Sequence, residues 1–230
     1  MTGSEIEFAA AAASAALVAV YYVILWRISR RHPLRTTLGQ HRLARNAWIG
    51  VIVAEKQDIL AVQTLRNWST AASFLASAAI LMSLGVLNAA INTEKAATFA
   101  QALDFMGSAG GSVWVIKLLI LFANLIISFF CFSLTIRAYN HIGFMISLAR
   151  SPDYPLSAAQ IGTELNHGGA LYAWGMRSTY LTVPLVMWLF GPLGIVLGTT
   201  LMLVALYFVD YPRHRQGPNG PAAGPTPQNP

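Results

Sequence analysis

The sequence predicts an all-α fold, namely a polytopic membrane bundle of four spans with amphipathic cytoplasmic connections and a disordered C-terminal tail. Two observations predict it. Hydrophobic residues make up 55% of the chain and charged residues only 10%, whereas soluble domains carry roughly a quarter charged positions. Eight of the fifteen basic residues lie between positions 27 and 67, and only Lys95 lies between the second and third apolar segments. Because cations near a span stay in the cytoplasm, this bias also orients the chain.

Four apolar segments are long enough to cross a bilayer. They are residues 8–26, 68–91, 113–136 and 180–207. The first segment would rise about 28 Å as a helix, which matches a hydrocarbon core of about 30 Å. Each segment is therefore expected to form one span.

The fourth segment, residues 180–207, is longer than one crossing needs and shorter than two crossings need. Gly191 and Pro192 lie near its middle. Because proline removes a helical hydrogen bond and clashes with the preceding turn, we expect one kinked helix. Two half-helices around a binding site are the alternative, as in some transporters.

An even number of spans places both termini on one side of the membrane. Glu5 and Glu7 precede the first span and the arginines follow it, so that side is predicted to be the outside. We therefore expect a four-helix membrane domain over residues 1–211 and a disordered Pro/Gly-rich tail over residues 212–230. The expected location is a bacterial cytoplasmic membrane.

The two cytoplasmic connections carry amphipathic patterns. Apolar residues recur at helical spacing from Leu43 to Leu65, which predicts a helix at the inner surface or an inward extension of the second span. In the second connection Pro152 and Pro155 break the chain, and residues 156–165 predict a short helix that Gly168 and Gly169 end.

Asn124 is the one strongly polar side chain near the middle of the third predicted span, and Lys117 is the only charge inside any predicted span. Asn124 must face protein, because an unpaired amide in hydrocarbon costs several kcal/mol, and Ser77 and Ser83 are its expected partners. Lys117 lies about one turn from the outer boundary and is expected to snorkel to water, with a functional charge as the alternative. The predicted spans contain no Asp or Glu, which disfavours a transporter.

Composition and motifs exclude several functions. The formal charge of +6 lies beside apolar spans, so membrane lipids rather than nucleic acid are the expected partners. The five histidines and Cys131 lack the spacing of a metal site, so neither a metal nor another cofactor is expected, with haem as a minor alternative. No nucleophile motif or phosphate-binding loop is present, which disfavours an enzyme.

Polar residues converge where the predicted spans meet the cytoplasm. The candidate binding residues are Glu55, Asp58, Gln63, Arg66, Asn67, Arg137, Asn140, His141 and Arg177. These cations either meet lipid phosphates, as the positive-inside rule requires, or form a pocket for an anionic headgroup or a partner. Arg66 is the strongest candidate, because a guanidinium offers five donors in a fixed fork.

The expected function is therefore a non-enzymatic scaffold or accessory subunit that binds a protein partner or anionic lipid at its cytoplasmic face. The alternative is a small transporter or a membrane-embedded enzyme with a polar pocket at the cytoplasmic helix ends. A homo-oligomer and a subunit of a larger complex both remain open.

Four strings carry a family resemblance. They are RNAWIG at 45–50, QDILAVQTLRN at 57–67, FSLTIRAYNHIGF at 132–144 and WGMRSTYLTVPLVMWLFGP at 174–192. The chain resembles the membrane-protein family known as domain of unknown function 599, from the first span to about Tyr211. The resemblance implies a small multi-span membrane protein and supplies no catalytic residues.

Overall fold

The computed structural model describes residues 3–92, 111–149, 151 and 156–211. Within these ranges the chain forms α1 (Gly3–Arg31), a 3-10 turn (Pro33–Arg35), α2 (Thr37–Glu55), α3 (Asp58–Ile91), α4 (Gly111–Leu148), α5 (Ala158–Trp188) and α6 (Pro192–Asp210). Four of these described helices, α1, α3, α4 and α6, are long and apolar enough to cross a membrane. The predicted fold class is confirmed.

The first connection both covers the bundle and extends a span. Thr36 caps α2 by accepting a hydrogen bond from Gly39 N at 3.3 Å. Helix α2 ends where Lys56 adopts a left-handed conformation, with φ 59° and ψ 37°, and α3 begins at Asp58. Helix α2 packs on α5, and α3 begins well before its apolar segment, so this connection extends the helix of the second span.

Helices α3 and α5 both pack on α4 and run antiparallel to it. At one end Ala90 of α3 packs against Trp114 of α4. At the other end Leu65 of α3, Ile142 of α4 and Leu165 of α5 share a cluster with residues of α2. We call the first end the Glu7 end, because α1 begins there with Glu7. We call the second end the arginine-rich end, because α1 ends there with Arg27, Arg30 and Arg31.

The fourth predicted segment is split in two. Helix α5 ends at Trp188, Gly191 takes a positive φ of 111°, and Pro192 opens α6. Helix α6 then returns antiparallel to α5, and a Cβ on Gly194 would collide with the Met187 carbonyl. The expected single kinked helix is therefore wrong. Gly191 makes the reversal, and proline at a first helical position favours a new helix over a kink.

This reversal brings the end of α6 to the arginine-rich end. Thr37 Oγ1 at the start of α2 donates to the Val209 carbonyl at 2.7 Å, whereas Glu7 lies beside Trp188 at the opposite end. Helix α5 has a short apolar stretch, yet it packs between α4 and α6 and adds a fifth pass through the bundle. The described chain therefore enters the bundle at the Glu7 end and leaves it at the arginine-rich end, whereas the sequence predicted both termini on one side of the membrane.

Gly168 and Gly169 do not end a helix, contrary to expectation. Helix α5 continues through both residues. A Cβ on Gly168 would lie 2.9 Å from the Tyr139 ring, and one on Gly169 would lie 2.7 Å from the Arg45 guanidinium. The glycines therefore make room for side chains of α4 and α2. Expectations for Lys95, for the two prolines at 152 and 155, and for the tail at 212–230 lie outside the described residues.

Candidate functional site

The predicted polar cluster does not form a single pocket. Its exposed members are Glu55, Gln63, Arg66, Asn67, Arg137, Asn140 and His141, while Asp58 and Arg177 are half-buried. The exposed Glu55 accepts a hydrogen bond from Gln57 Nε2 at 2.6 Å. The structure divides these residues among different surfaces of the arginine-rich end.

Arg66 and Asn140 do come together. Both line a groove of about 560 Å³ between α3 and α4, together with Ser69 and Ser73. The Ser69 hydroxyl is buried there and has no hydrogen-bond partner among the described residues. The groove therefore combines a guanidinium, an amide and an unsatisfied hydroxyl.

Arg177 lies on a different side of the bundle, among α1, α5 and α6. Its Nη2 is 3.4 Å from Asp210 Oδ1, and the Tyr21 hydroxyl donates to Asp210 Oδ2 at 2.9 Å. The guanidinium also lies 4.9 Å from the centre of the Tyr22 ring. Asp210 was not among the predicted site residues, although a carboxylate directly after an apolar run is a signal that could have identified it.

Lys117 does not snorkel. Its side chain is only 2% exposed, and its Nζ lies 2.9 Å from Oε1 of the fully buried Glu7. Lys117 also donates to the Trp188 carbonyl at 3.0 Å, and Trp188 Nε1 donates to Glu7 Oε2 at 2.8 Å. The view that the spans hold no carboxylate is therefore wrong. Burying a cation in an apolar bundle is costly, and a bonded carboxylate offsets much of that cost.

Asn124 faces protein as expected, but it contacts α5 rather than α3. Its Nδ2 donates to the Ser178 carbonyl at 2.9 Å and to Thr182 Oγ1 at 3.1 Å, and Ser178 Oγ donates to Asn124 Oδ1 at 3.0 Å. The prediction that Ser77 and Ser83 bond to Asn124 is wrong. Ser77 is exposed, and Ser83 bonds within its own helix. Asn124 therefore joins α4 to α5.

A further polar network joins α2 to α5. Arg45 Nε donates to Asn166 Oδ1 at 3.0 Å, and Asn166 Nδ2 donates to Asn46 Oδ1 at 2.6 Å. Burial lowers the pKa of Arg45. No described carboxylate forms an ion pair with it. Arg45 was not a predicted site residue, because its partner Asn166 is 121 positions away and sequence spacing does not connect them.

Arg45 lines a cavity of about 260 Å³ at the meeting point of four helices. The other lining residues are Leu38, His41, Trp68, Ala71, Tyr139, Gly169, Tyr172 and Ala173. An adjoining cavity of about 450 Å³ shares Leu38 and Ala173 and is lined by Tyr22, Trp26 and Arg177. The Tyr22 hydroxyl is buried without a partner in the described chain. Cations beside aromatic rings suit a ligand with an anionic group and an apolar part.

In the described part of the chain, no group of three His, Cys, Asp or Glu side chains is placed to hold a metal ion. Cys131 is a half-buried free thiol.

Comparison with known proteins finds one family. The profile described as "Protein of unknown function, DUF599" matches residues 9–214. No curated protein and no solved structure matches the chain. The family match runs from α1 past the end of α6 and so covers all six helices. The chain, with its apolar spans and its arginine-rich end, therefore belongs to the DUF599 family of proteins of unknown function.

Proposed function

We propose that this protein is a non-enzymatic scaffold or accessory subunit of a membrane, which binds anionic lipid at its arginine-rich end. We further propose that this end faces the cytoplasm, because cationic residues beside spans are retained there. Orientation from the positive-inside rule then places the Glu7 end outside and Asp210 on the cytoplasmic side.

One observation carries the proposal. Exposed arginines of α1, α3 and α4 gather at this end, namely Arg27, Arg30, Arg31, Arg66 and Arg137. No described carboxylate forms an ion pair with any of them. Their counter-ions must come from outside the described chain, and phosphates are the abundant anions at a membrane surface.

Exposed aromatic rings lie beside these cations. Trp26 and Trp174 are 52% and 61% exposed, and the Arg30 guanidinium lies 4.2 Å from the centre of the Trp26 ring. Tryptophan is enriched at the headgroup level of bilayers. The arrangement therefore supports contact with lipid headgroups more than with a soluble partner.

The experiment is to purify the full chain in a neutral detergent and analyse the lipids that remain bound. We expect anionic phospholipid to be enriched relative to the source membrane, and the enrichment to fall at high salt, because salt screens exposed charges. Bound lipid with the composition of the source membrane would refute the proposal. A protein recovered in stoichiometric amount without enriched lipid would favour the protein-partner form of the scaffold instead.

A small transporter is the second candidate, and one observation favours it. The buried Glu7–Lys117 pair lies inside the candidate spans, and ionisable residues at such depth are functional candidates by default. Proteoliposomes under an imposed membrane potential would test it. A proton flux that Glu7→Gln abolishes would support transport, whereas no flux above protein-free liposomes would favour the scaffold.

A further inference from the structure

Three cations lie deep enough in the bundle to need a partner, and Arg45 differs from the other two. Lys117 is paired with Glu7, and Arg177 with Asp210. Arg45 is half-buried but has only the neutral amide of Asn166 as a hydrogen-bond acceptor among the described residues. Burying a cation without a neutralising group is unfavourable. The contrast indicates that its neutralising group is a ligand.

The level of Arg45 along the bundle allows a lipid phosphate to neutralise it in place of a carboxylate of the chain. Tyr139, which lines the Arg45 cavity, lies about 33 Å along α4 from Lys117 at the usual helical rise. Trp68, also in the lining, lies about 33 Å along α3 from Ala90 of the Glu7 end. A hydrocarbon core is about 30 Å thick. With Lys117 inside the core, a level about 33 Å away along the same helix lies beyond the core, at the headgroups of the opposite face.

The cavity holds the guanidinium in place. Asn166 fixes Nε, and Gly169 provides the space for Nη1, because a Cβ there would lie 2.7 Å from this atom. Only the Nε donor has an acceptor within the described chain. The remaining donors of the fork are free for a bidentate oxyanion. His41, one turn before Arg45 on α2, lies at the exposed side of the same cavity.

We propose that Arg45 binds the phosphate group of an anionic ligand in this cavity, with Trp68, Tyr139 and Tyr172 as its walls. This inference rests on the proposed function and names the site for it. A phospholipid headgroup and free phosphate share the chemistry, and the test separates them.

The test measures binding to the full-length protein in neutral detergent through the shift in melting temperature with ligand concentration. The probes are dihexanoyl phosphatidylglycerol, inorganic phosphate and, as the zwitterionic reference, dihexanoyl phosphatidylcholine. We expect phosphatidylglycerol to bind and Arg45→Gln to weaken its binding at least tenfold. Binding of inorganic phosphate with equal affinity would identify free phosphate as the ligand of the same site.

Two further variants separate the cavity from the charge of α2. Arg42→Gln removes the same charge from the same helix, but Arg42 is exposed and does not line the cavity. We expect its affinity to stay within about twofold of the unmodified protein, since an exposed charge acts weakly through salt-screened water. Ala71→Phe fills the cavity from an exposed position and leaves Arg45 unchanged. It should weaken binding at least tenfold without lowering the melting temperature of the ligand-free protein, even if Arg45→Gln fails to fold.

The outcomes separate the site from the function. If phosphatidylglycerol binds and Ala71→Phe retains full affinity, the cavity assignment is wrong while lipid binding stands. If Arg42→Gln loses as much affinity as Arg45→Gln, surface charge alone explains binding and the assignment is again wrong. If no anionic probe binds the unmodified protein, both the site and the proposed function are overturned.

Discussion

At the scale of single residues, the buried charges of the described spans are paired with opposite charges. Glu7 and Lys117 are 110 positions apart and meet at 2.9 Å, and Trp188 supplies both a donor and an acceptor to them. Each charge therefore has at least two polar contacts. A buried ion pair of this kind contributes little net stability over an apolar pair, but breaking one partner leaves an uncompensated charge.

Removing one charge of this pair should be severely destabilising. We expect Lys117→Met to lower the free energy of unfolding by about 3 to 5 kcal/mol, because Glu7 is left buried and unpaired. Chemical unfolding in mixed detergent micelles measures it. The double variant with Glu7→Gln should recover part of the loss, and Glu55→Gln, at an exposed position, should change stability by less than about 0.5 kcal/mol. Additive losses in the double variant would contradict the coupling.

Arg66 is expected to act through its positive charge alone, so that lysine can replace it. It is exposed and lines an open groove, and no described carboxylate pairs with it. We expect Arg66→Lys to change the free energy of unfolding by less than about 0.5 kcal/mol, with or without anionic lipid. Arg66→Gln should reduce the stabilisation by anionic lipid. A loss of about 1 to 3 kcal/mol in the lysine variant would instead show that the fork holds a specific oxyanion.

At the scale of elements, the hairpin of α5 and α6 depends on residues without side chains. Gly191 takes a conformation that L-residues rarely adopt, and Gly194 and Gly198 lie against the backbone of α5 at Met187 and Pro184. Close approach of this kind lets dispersion forces and weak polar contacts hold helices together in lipid. These glycines therefore act between two consecutive helices.

A methyl group at this contact should separate the two helices. We expect Gly194→Ala to lower the free energy of unfolding by about 1 to 3 kcal/mol, the usual cost of overpacking. Gly85→Ala is the matched control, because a Cβ there meets nothing within 4 Å. Alanine should be neutral or slightly stabilising at that helical position. Equal stability of the two variants, measured by the same unfolding titration, would show that the close contact is unimportant.

At the scale of the whole molecule, the fifth pass decides the topology. Reporter fusions after Arg35 and after Tyr211 should report the same side of the membrane, and a fusion after Asn92 should report the other side. The physical reason is that the end of α6 bonds to the start of α2 through Thr37 and Val209. A fusion after Tyr211 that reports with Asn92 would restore the even number of crossings and contradict this arrangement of α5 and α6.

The sequence by itself determined the properties that depend on local composition. Apolar length located the helices α1, α3 and α4, and helical periodicity located α2, because each pattern is contained in one stretch of chain. The same local view failed at α5, whose apolar stretch is too short to identify a pass and whose packing depends on α4 and α6. It also misjudged Lys117, because the depth of a lysine does not reveal whether a carboxylate lies beside it.

Only the tertiary structure decided which polar groups meet. Asn124 could have bonded to α3 or to α5, and the packing of α4 against α5 selected Ser178 and Thr182. Arg45 was one of many basic residues near a span until the fold placed it beside Asn166 and Gly169. Hydrophobicity is a property of a segment and can be read locally, whereas a hydrogen bond or an ion pair needs two atoms within about 3 Å. In this bundle the partners are many residues apart, so their pairing follows from helix packing and not from sequence spacing.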